Sequence, residues 1–300
     1  MINQINIKNY KLFKNFKIEG FDRVNLITGA NNIGKTALME AIYISTYSKT
    51  IDNFLKVLEN VYYFRYHKKD VKNILEYFNN ISIDNIELST KIENLTAKVE
   101  LKFKNKNLKE NQNNISLKPI VNQKVNFIET TFFNDKILQD YYGYVQNKDK
   151  ENFLDEILNR FDSNIEKFKF IKDIPMIKYT GIDEYIHINE LGDGIKRVLF
   201  FITALFKSEN GYLFIDEIEN GIWYKNIDLL WEVIFGLSKE LNVQVFATTH
   251  SSDVIKSFSK FDGKLFEFGC NKNNKVDYID YSHSFLLEEL ENNREVRGWE

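Results

Sequence analysis

The chain has 300 residues, with 40 basic against 43 acidic side chains and a formal charge of −3. It is long enough for a substantial core and lacks the overall basic charge of a nucleic-acid reader. A single cysteine, Cys270, excludes an internal disulfide and a cysteine-built zinc site and points to a reducing cytosol. No apolar run approaches the ~18 residues of a membrane span, and Met1-Ile2-Asn3-Gln4-Ile5 lacks the apolar core of a signal peptide. A cytoplasmic chain with no membrane partner is expected.

Ile2, Ile5 and Ile7 open a strand pattern, and Leu12 to Ile18 partly alternate, as a half-exposed antiparallel strand does. Lys8, Lys11, Lys14 and Lys17 sit on this hairpin, either as a solvated face or as a patch facing nucleotide or DNA. Val24 to Thr28 reads as a short buried strand and Ala37 to Tyr43 as a helix with an apolar face. Between them, Gly29-Ala30-Asn31-Asn32-Ile33-Gly34-Lys35-Thr36 fits the phosphate-loop spacing G-x4-G-K-[ST]. Its glycines let the backbone wrap phosphate oxygens, and the N–H groups of the following helix start favour anions. Gly29, Asn31, Asn32, Gly34, Lys35, Thr36 and Ala37 are therefore the expected ATP-binding residues. Lys35 would reach the β- and γ-phosphates and the Thr36 hydroxyl would ligate Mg²⁺.

From about residue 50 to 175 the pattern changes. Phe54 to Leu58 and Val71 to Phe78 look helical, around the aromatic and basic piece Tyr62 to Lys69, which reads as a core edge or a stacking surface for nucleic acid. Residues 81–104 alternate as a small antiparallel sheet, and Asn105 to Asn114 read as a polar loop. Phe153 to Leu158 start a helix that Phe161, Ile165 and Phe168 continue in the helical reading. The absence of sustained heptads argues against a long coiled-coil arm. After Pro175 come strands around Ile177 and Tyr185 to Ile188, then a helix from Ile195 to Phe206. Apolar strands at Tyr212 to Ile215 and Val243 to Ala247 flank a helix near Leu229 to Leu241. Such alternation predicts a largely parallel sheet covered on both faces.

The strand Tyr212 to Ile215 delivers two adjacent carboxylates. Asp216 can hold the Mg²⁺ shell and Glu217 can polarise the attacking water. His250, after Thr248-Thr249, ends a third strand and reads as a sensor of the γ-phosphate. Open α/β sheets gather ligands at the carboxyl ends of their strands, where these three segments would meet. Leu191-Gly192-Asp193-Gly194 precedes an apolar helix; it suits either close approach to a phosphate or a plain helix-capping turn.

Taken together and in order, these pieces resemble the ABC-type ATPase heads. The likeness is greatest to AAA-family proteins related to the overcoming-lysogenization-defect (OLD) ATPases, and more distant to SMC-like heads. It is carried by Ile5 to Phe13, Gly29 to Thr36, Leu191 to Arg197, Leu213 to Ile222 and Gln244 to Ser251. The resemblance implies an α/β fold: a P-loop NTPase head with a mixed sheet, flanking helices and an α+β insertion. The head would span 1–50 and 176–270, the insert or lid 51–175 and a helical tail 271–300. It implies ATP and Mg²⁺ as cofactors and a head-to-head homodimer, or a higher homo-oligomer, in which Gly192, Asp193 and Gly194 contact the γ-phosphate of the other subunit.

Trp223 stands where relatives often carry His, and the glutamine loop has only Gln123 and Gln139 as candidates. About 30 residues follow Cys270, too few for the Toprim nuclease domain of full OLD proteins, so nucleic-acid cleavage by this chain is not expected. The setting implied is anti-phage defence with a separately encoded effector, a nuclease or toxin. The alternatives are a repair or chromosome-maintenance ATPase that binds DNA directly, and a slow ATP-gated scaffold that sequesters a toxic partner.

Overall fold

The computed structural model describes residues 1–66, 85–101, 115–119, 124–128, 134–292 and 294–298, with the side chains of 64–66 left out. The expected helix Val71 to Phe78, the loop Asn105 to Asn114, Gln123 and the Lys68–Lys69 end of the aromatic-basic cluster lie outside these residues.

The chain begins with a hairpin, β1 (Ile2–Tyr10) and β2 (Phe13–Glu19), turned by Lys11 and Leu12. It then enters β3 (Val24–Gly29), every residue of which is buried, and passes through the phosphate loop into α1 (Lys35–Tyr47) and α2 (Ile51–Tyr66). Next come β4 (Ile86–Ile92), β5 (Leu95–Leu101), β6 (Ile115–Lys118) and β7 (Val125–Ile128). Helices α3 (Asp135–Gln146) and α4 (Glu151–Phe161) lead to the small antiparallel sheet β8 (Ile165–Ile171), β9 (Ile174–Tyr179) and β10 (Tyr185–His187). The last third runs α5 (Asp193–Lys207), β11 (Tyr212–Ile215), α6 (Ile227–Glu240), β12 (Gln244–Thr248), α7 (Ser252–Phe258), β13 (Lys264–Cys270), β14 (Val276–Tyr281) and α8 (His283–Glu291).

The central sheet has the order β14-β13-β3-β12-β11-β7. Every neighbouring pair is parallel except β13 with β14. Period-two alternation sends the side chains to two cores. Leu26, Leu213, Ile215, Val245, Ala247 and Leu265 face the core shared with α3 to α8. Ile27, Tyr212, Phe214, Phe246, Phe266 and Phe268 face α1, α2 and the N-terminal antiparallel sheet β2-β1-β4-β5-β6. Phe127, Phe214 and Phe246 stack across three strands with ring centroids 5.7 and 5.3 Å apart, and the fully buried rings of Phe214 and Phe246 are worth roughly 1.5–3 kcal/mol each. Gln244 joins the two sheets. Its Oε1 accepts from Ile2 N at 2.7 Å, and its Nε2 donates to the Ile2 and Asp22 carbonyls at 2.8 Å each.

The stretch 51–175 is shared among layers. Strand β4 pairs along β1, from Ile2↔Ile92 to Lys8↔Glu87, and β7 pairs in parallel with β11 in the central sheet. At the other end of the chain, β14 forms the edge of that sheet, and α8 buries Leu286 in the main core.

One element differs in type from the sequence reading. Ile165 and Phe168 belong to strand β8, and the helix stops at Phe161. An Asx turn breaks it, with Asp162 Oδ1 accepting from Asn164 N at 3.0 Å. A register shift between Ile165 and Lys167 then places two apolar side chains three residues apart on one buried face, which imitates helical spacing. Among the described residues no helix is long and apolar enough to cross a membrane.

Candidate active site

Strands β3, β12 and β11 lie side by side in parallel, so their carboxyl ends open on one rim. The rim bears a cavity of about 520 Å³ lined by residues 31–37 together with Asp216, Glu217 and His250. The structure thus brings together the predicted phosphate loop, the two acids and the histidine.

The loop is shaped by its backbone. Gly29 has φ +142, Asn32 φ +61 and Gly34 φ +105. At Gly29 a Cβ would come 2.5 Å from the Phe268 carbonyl, so the loop lies too close to β13 for any side chain there. Gly34 caps α1 with no side-chain hydrogen bond, which leaves the helix N–H groups open to an anion. The buried ring of Phe13 supports it from below.

Lys35 is buried, and its Nζ donates to the carbonyls of Gly29 at 2.9 Å and Ala30 at 2.8 Å. Burial lowers its pKa to about 8, against the opposing pull of Asp216, Glu217 and Glu219. His250 Nδ1 lies 3.4 Å from the same Nζ. Burial, and then the charge of Lys35, hold the His250 pKa below its ordinary value, while Glu219, Glu217 and Asp216 oppose the shift. The ring is therefore neutral near pH 7 and is free to share a proton with a phosphate oxygen.

Thr36 Oγ1 donates to the Asp216 carboxylate at 3.1 and 3.2 Å. A hydroxyl and a carboxylate converging beside a phosphate loop are the hard oxygen donors Mg²⁺ takes, with phosphate oxygens and water filling its remaining positions. Among the described residues there is no group of three His, Cys, Asp or Glu side chains that could hold a metal ion. Glu217 lies next in sequence, and its Oε2 accepts from Asn220 Nδ2 at 2.5 Å.

The predicted signature residues do not line this cavity in their own chain. Gly192 and Gly194 border a separate depression with Gly221, Ile222 and Trp223, and Asp193 points to a third with Lys196 and Arg197. The two glycines do different jobs. A Cβ on Gly194 would come 2.8 Å from the Gly221 carbonyl, so Gly194 serves close packing within the chain. A Cβ on Gly192 would meet none of the described residues within 4 Å, and Gly192 has φ −61, open to any residue. Trp223 and Tyr224 are exposed beside it at 57% and 60%, with Lys225 Nζ 4.8 Å above the Trp223 ring.

Two groups escaped the sequence reading, and for a third, Lys11, it left two alternatives open. Lys11, in a left-handed turn (φ +52), lines the cavity and pairs with the fully buried Glu40, whereas Lys8, Lys14 and Lys17 are exposed. Glu219 Oε1 accepts from His250 N at 2.7 Å and so sets the histidine's backbone. Thr248 contacts both acids. Lys11 is one of the four hairpin lysines that the sequence reads either as a solvated face or as a patch facing nucleotide or DNA, and Glu219 and Thr248 stand inside motifs already singled out. Of the glutamine-loop candidates, Gln139 sits on α3 bonded to Asp173 at 2.7 Å, away from the cavity.

A family model described as an AAA ATPase domain matches residues 134–255, the stretch that carries the signature segment, both acids and His250. An ATP/GTP phosphatase of Helicobacter pylori is 26% identical over 324 residues, covering 85% of this chain and 87% of the relative. Among solved structures, an SMC head bound to the C-terminal winged-helix domain of ScpA superposes with a TM-score of 0.64 at 12% identity, over 96% of this chain and 99% of that one. The SMC head domain from Thermotoga maritima superposes with a TM-score of 0.52 at 14% identity, over 94% and 99%. The fold is that of a P-loop NTPase head of the ABC type.

Proposed function

We propose that this chain, an ATPase head of the ABC/AAA type, hydrolyses ATP at a site shared between two copies of itself, and that each cycle closes and reopens the dimer. The observation that carries this is the split within one chain. The cavity with Lys35, Thr36, Asp216, Glu217 and His250 is open, while Gly192 stands on another depression, where a Cβ would meet none of the described residues within 4 Å. In the closed state residues 31–37 hold the triphosphate, and Lys35 exchanges the Gly29 and Ala30 carbonyls for phosphate oxygens. Thr36 and Asp216 hold Mg²⁺, which supplies charge neutralisation for the phosphates. Glu217, released from Asn220, accepts a hydrogen bond from the attacking water; His250 hydrogen-bonds the γ-phosphate. Gly192, Asp193 and Gly194 of the second copy close the other side with the N–H groups of the α5 start.

Substitution at Gly192 tests the dimer. Because a Cβ there would meet none of the described residues within 4 Å, Gly192→Leu is expected to fold and to bind ATP as the parent does. In a Glu217→Gln background, where ATP persists, light scattering is expected to find a dimer with Gly192 and a monomer with Leu. An undiminished ATP-dependent dimer in Gly192→Leu contradicts the assignment.

The resemblance to the OLD-like heads and the Gly-Asp-Gly signature support a place in that group. The corresponding setting is bacterial anti-phage defence, with the ATP cycle controlling a separately encoded effector. The SMC head that carries a ScpA domain offers a precedent for a head of this fold holding another protein.

A further inference from the structure

Consecutive side chains on a strand point to opposite faces, so two adjacent acids at a strand end should not both look into one cavity. Asp216 and Glu217 nevertheless do so. The backbone supplies the reason: Glu217 has φ +48, in the left-handed region that a non-glycine residue enters only when its surroundings hold it there. That turn swings the Glu217 side chain round to the side of Asp216.

The holding group is Thr248, the last residue of β12, which is fully buried. Its hydroxyl accepts the Glu217 N–H at 2.8 Å and donates to Asp216 Oδ1 at 2.6 Å. Its carbonyl accepts the Ile218 N–H at 3.0 Å. One hydroxyl has one proton and two lone pairs, so a single atom can fix both acids only by donating to one and accepting from the backbone of the other. Register permits it: Ile215 pairs with Ala247, which sets Thr248 opposite the turn after β11.

We propose that Thr248 is a positioning residue for ATP hydrolysis. Its hydroxyl orients the Asp216 carboxylate toward the metal and locks the left-handed turn that aims Glu217 at the water. The inference rests on the roles assigned above to Asp216 and Glu217. Thr248 itself touches no substrate, so its loss acts on the chemical step while the phosphate loop keeps its grip.

The test compares Thr248→Val, which keeps the shape and removes the hydroxyl, with Thr248→Ser, which keeps the hydroxyl. Both are assayed beside wild type and Glu217→Gln for steady-state phosphate release and for equilibrium binding of a fluorescent ATP analogue. Thr248→Val is expected to lose about 100-fold in kcat, with KM and analogue affinity within about threefold of wild type. Thr248→Ser is expected to stay within about threefold in all three. If Thr248→Val does not bind the analogue, Thr248→Ala takes its place in the same comparison. Wild-type kcat in the variant lacking the hydroxyl overturns the inference, and so does an equal loss in Thr248→Ser, because the methyl group would then be what matters. Glu217→Gln keeps the two readings apart. If it still turns over, the assignment of Glu217 fails; if it is inactive while Thr248→Val is active, only the inference about Thr248 fails.

Discussion

Glu217→Gln is expected to lower steady-state ATP turnover by about 1,000-fold and to leave ATP affinity close to that of the parent. The amide fills the same volume and still accepts from Asn220 through its oxygen, so the left-handed turn at Glu217 and the bond from Thr248 to its N–H remain. What it loses is the negative charge that draws a proton from the attacking water, an effect of two to four orders of magnitude for a positioned general base. Phosphate release measured against analogue binding separates the two quantities. Parallel losses in both would mean that Glu217 supports the cavity rather than the chemistry.

Removing Lys35 should have a large effect on a different quantity. Its Nζ is buried and spans the carbonyls of Gly29 and Ala30, ready to turn to a triphosphate without being drawn out of solvent. Lys35→Ala is expected to weaken ATP binding by about 100-fold or more, in line with loss of one partner from a buried charge pair. A pH titration gives a second signature. The nucleotide-free amine has a pKa of about 8 because burial disfavours its charge. A bound phosphate favours the charge, so binding above pH 8 takes up a proton. Wild-type affinity should therefore fall by up to about tenfold per pH unit above 8 and be flat in that respect below it. Lys35→Ala should lack this dependence.

Much of the rim was legible because its signals are local. A contiguous apolar strand of four or five residues followed by acids or by Thr-Thr-His marks a strand end, and G-x4-G-K-T fixes a loop whose geometry follows from its glycines. Parallel register then brought Lys35, Asp216 and His250 together, as the alternation of strands and helices implied. The remainder depended on pairings that no local pattern carries. Val125–Ile128, interrupted by Asn126, does not declare itself a strand of the central sheet, yet β7 lies in parallel against β11 at its edge. Ile165 and Phe168 imitate a helix because a bulge shifts the register between them. Thr248 reads as an ordinary strand residue until β12 is set beside β11. Gly192 and Gly194 look equivalent in sequence, and only the approach of Gly221 separates the packing glycine from the open one.

The central claim is that one ATP site is built from two chains, and a mixing assay tests it most directly. Lys35→Ala disables the phosphate loop of a chain and spares its signature segment; Gly192→Leu does the reverse. Each variant alone should be inactive in steady-state phosphate release. Mixed in equal amounts, a pair with one chain of each kind contains one intact site where a wild-type pair has two, so activity should return, to at most about half of the wild-type value. A mixture as inactive as its components, or a Gly192→Leu chain active by itself, would contradict a site shared between two copies.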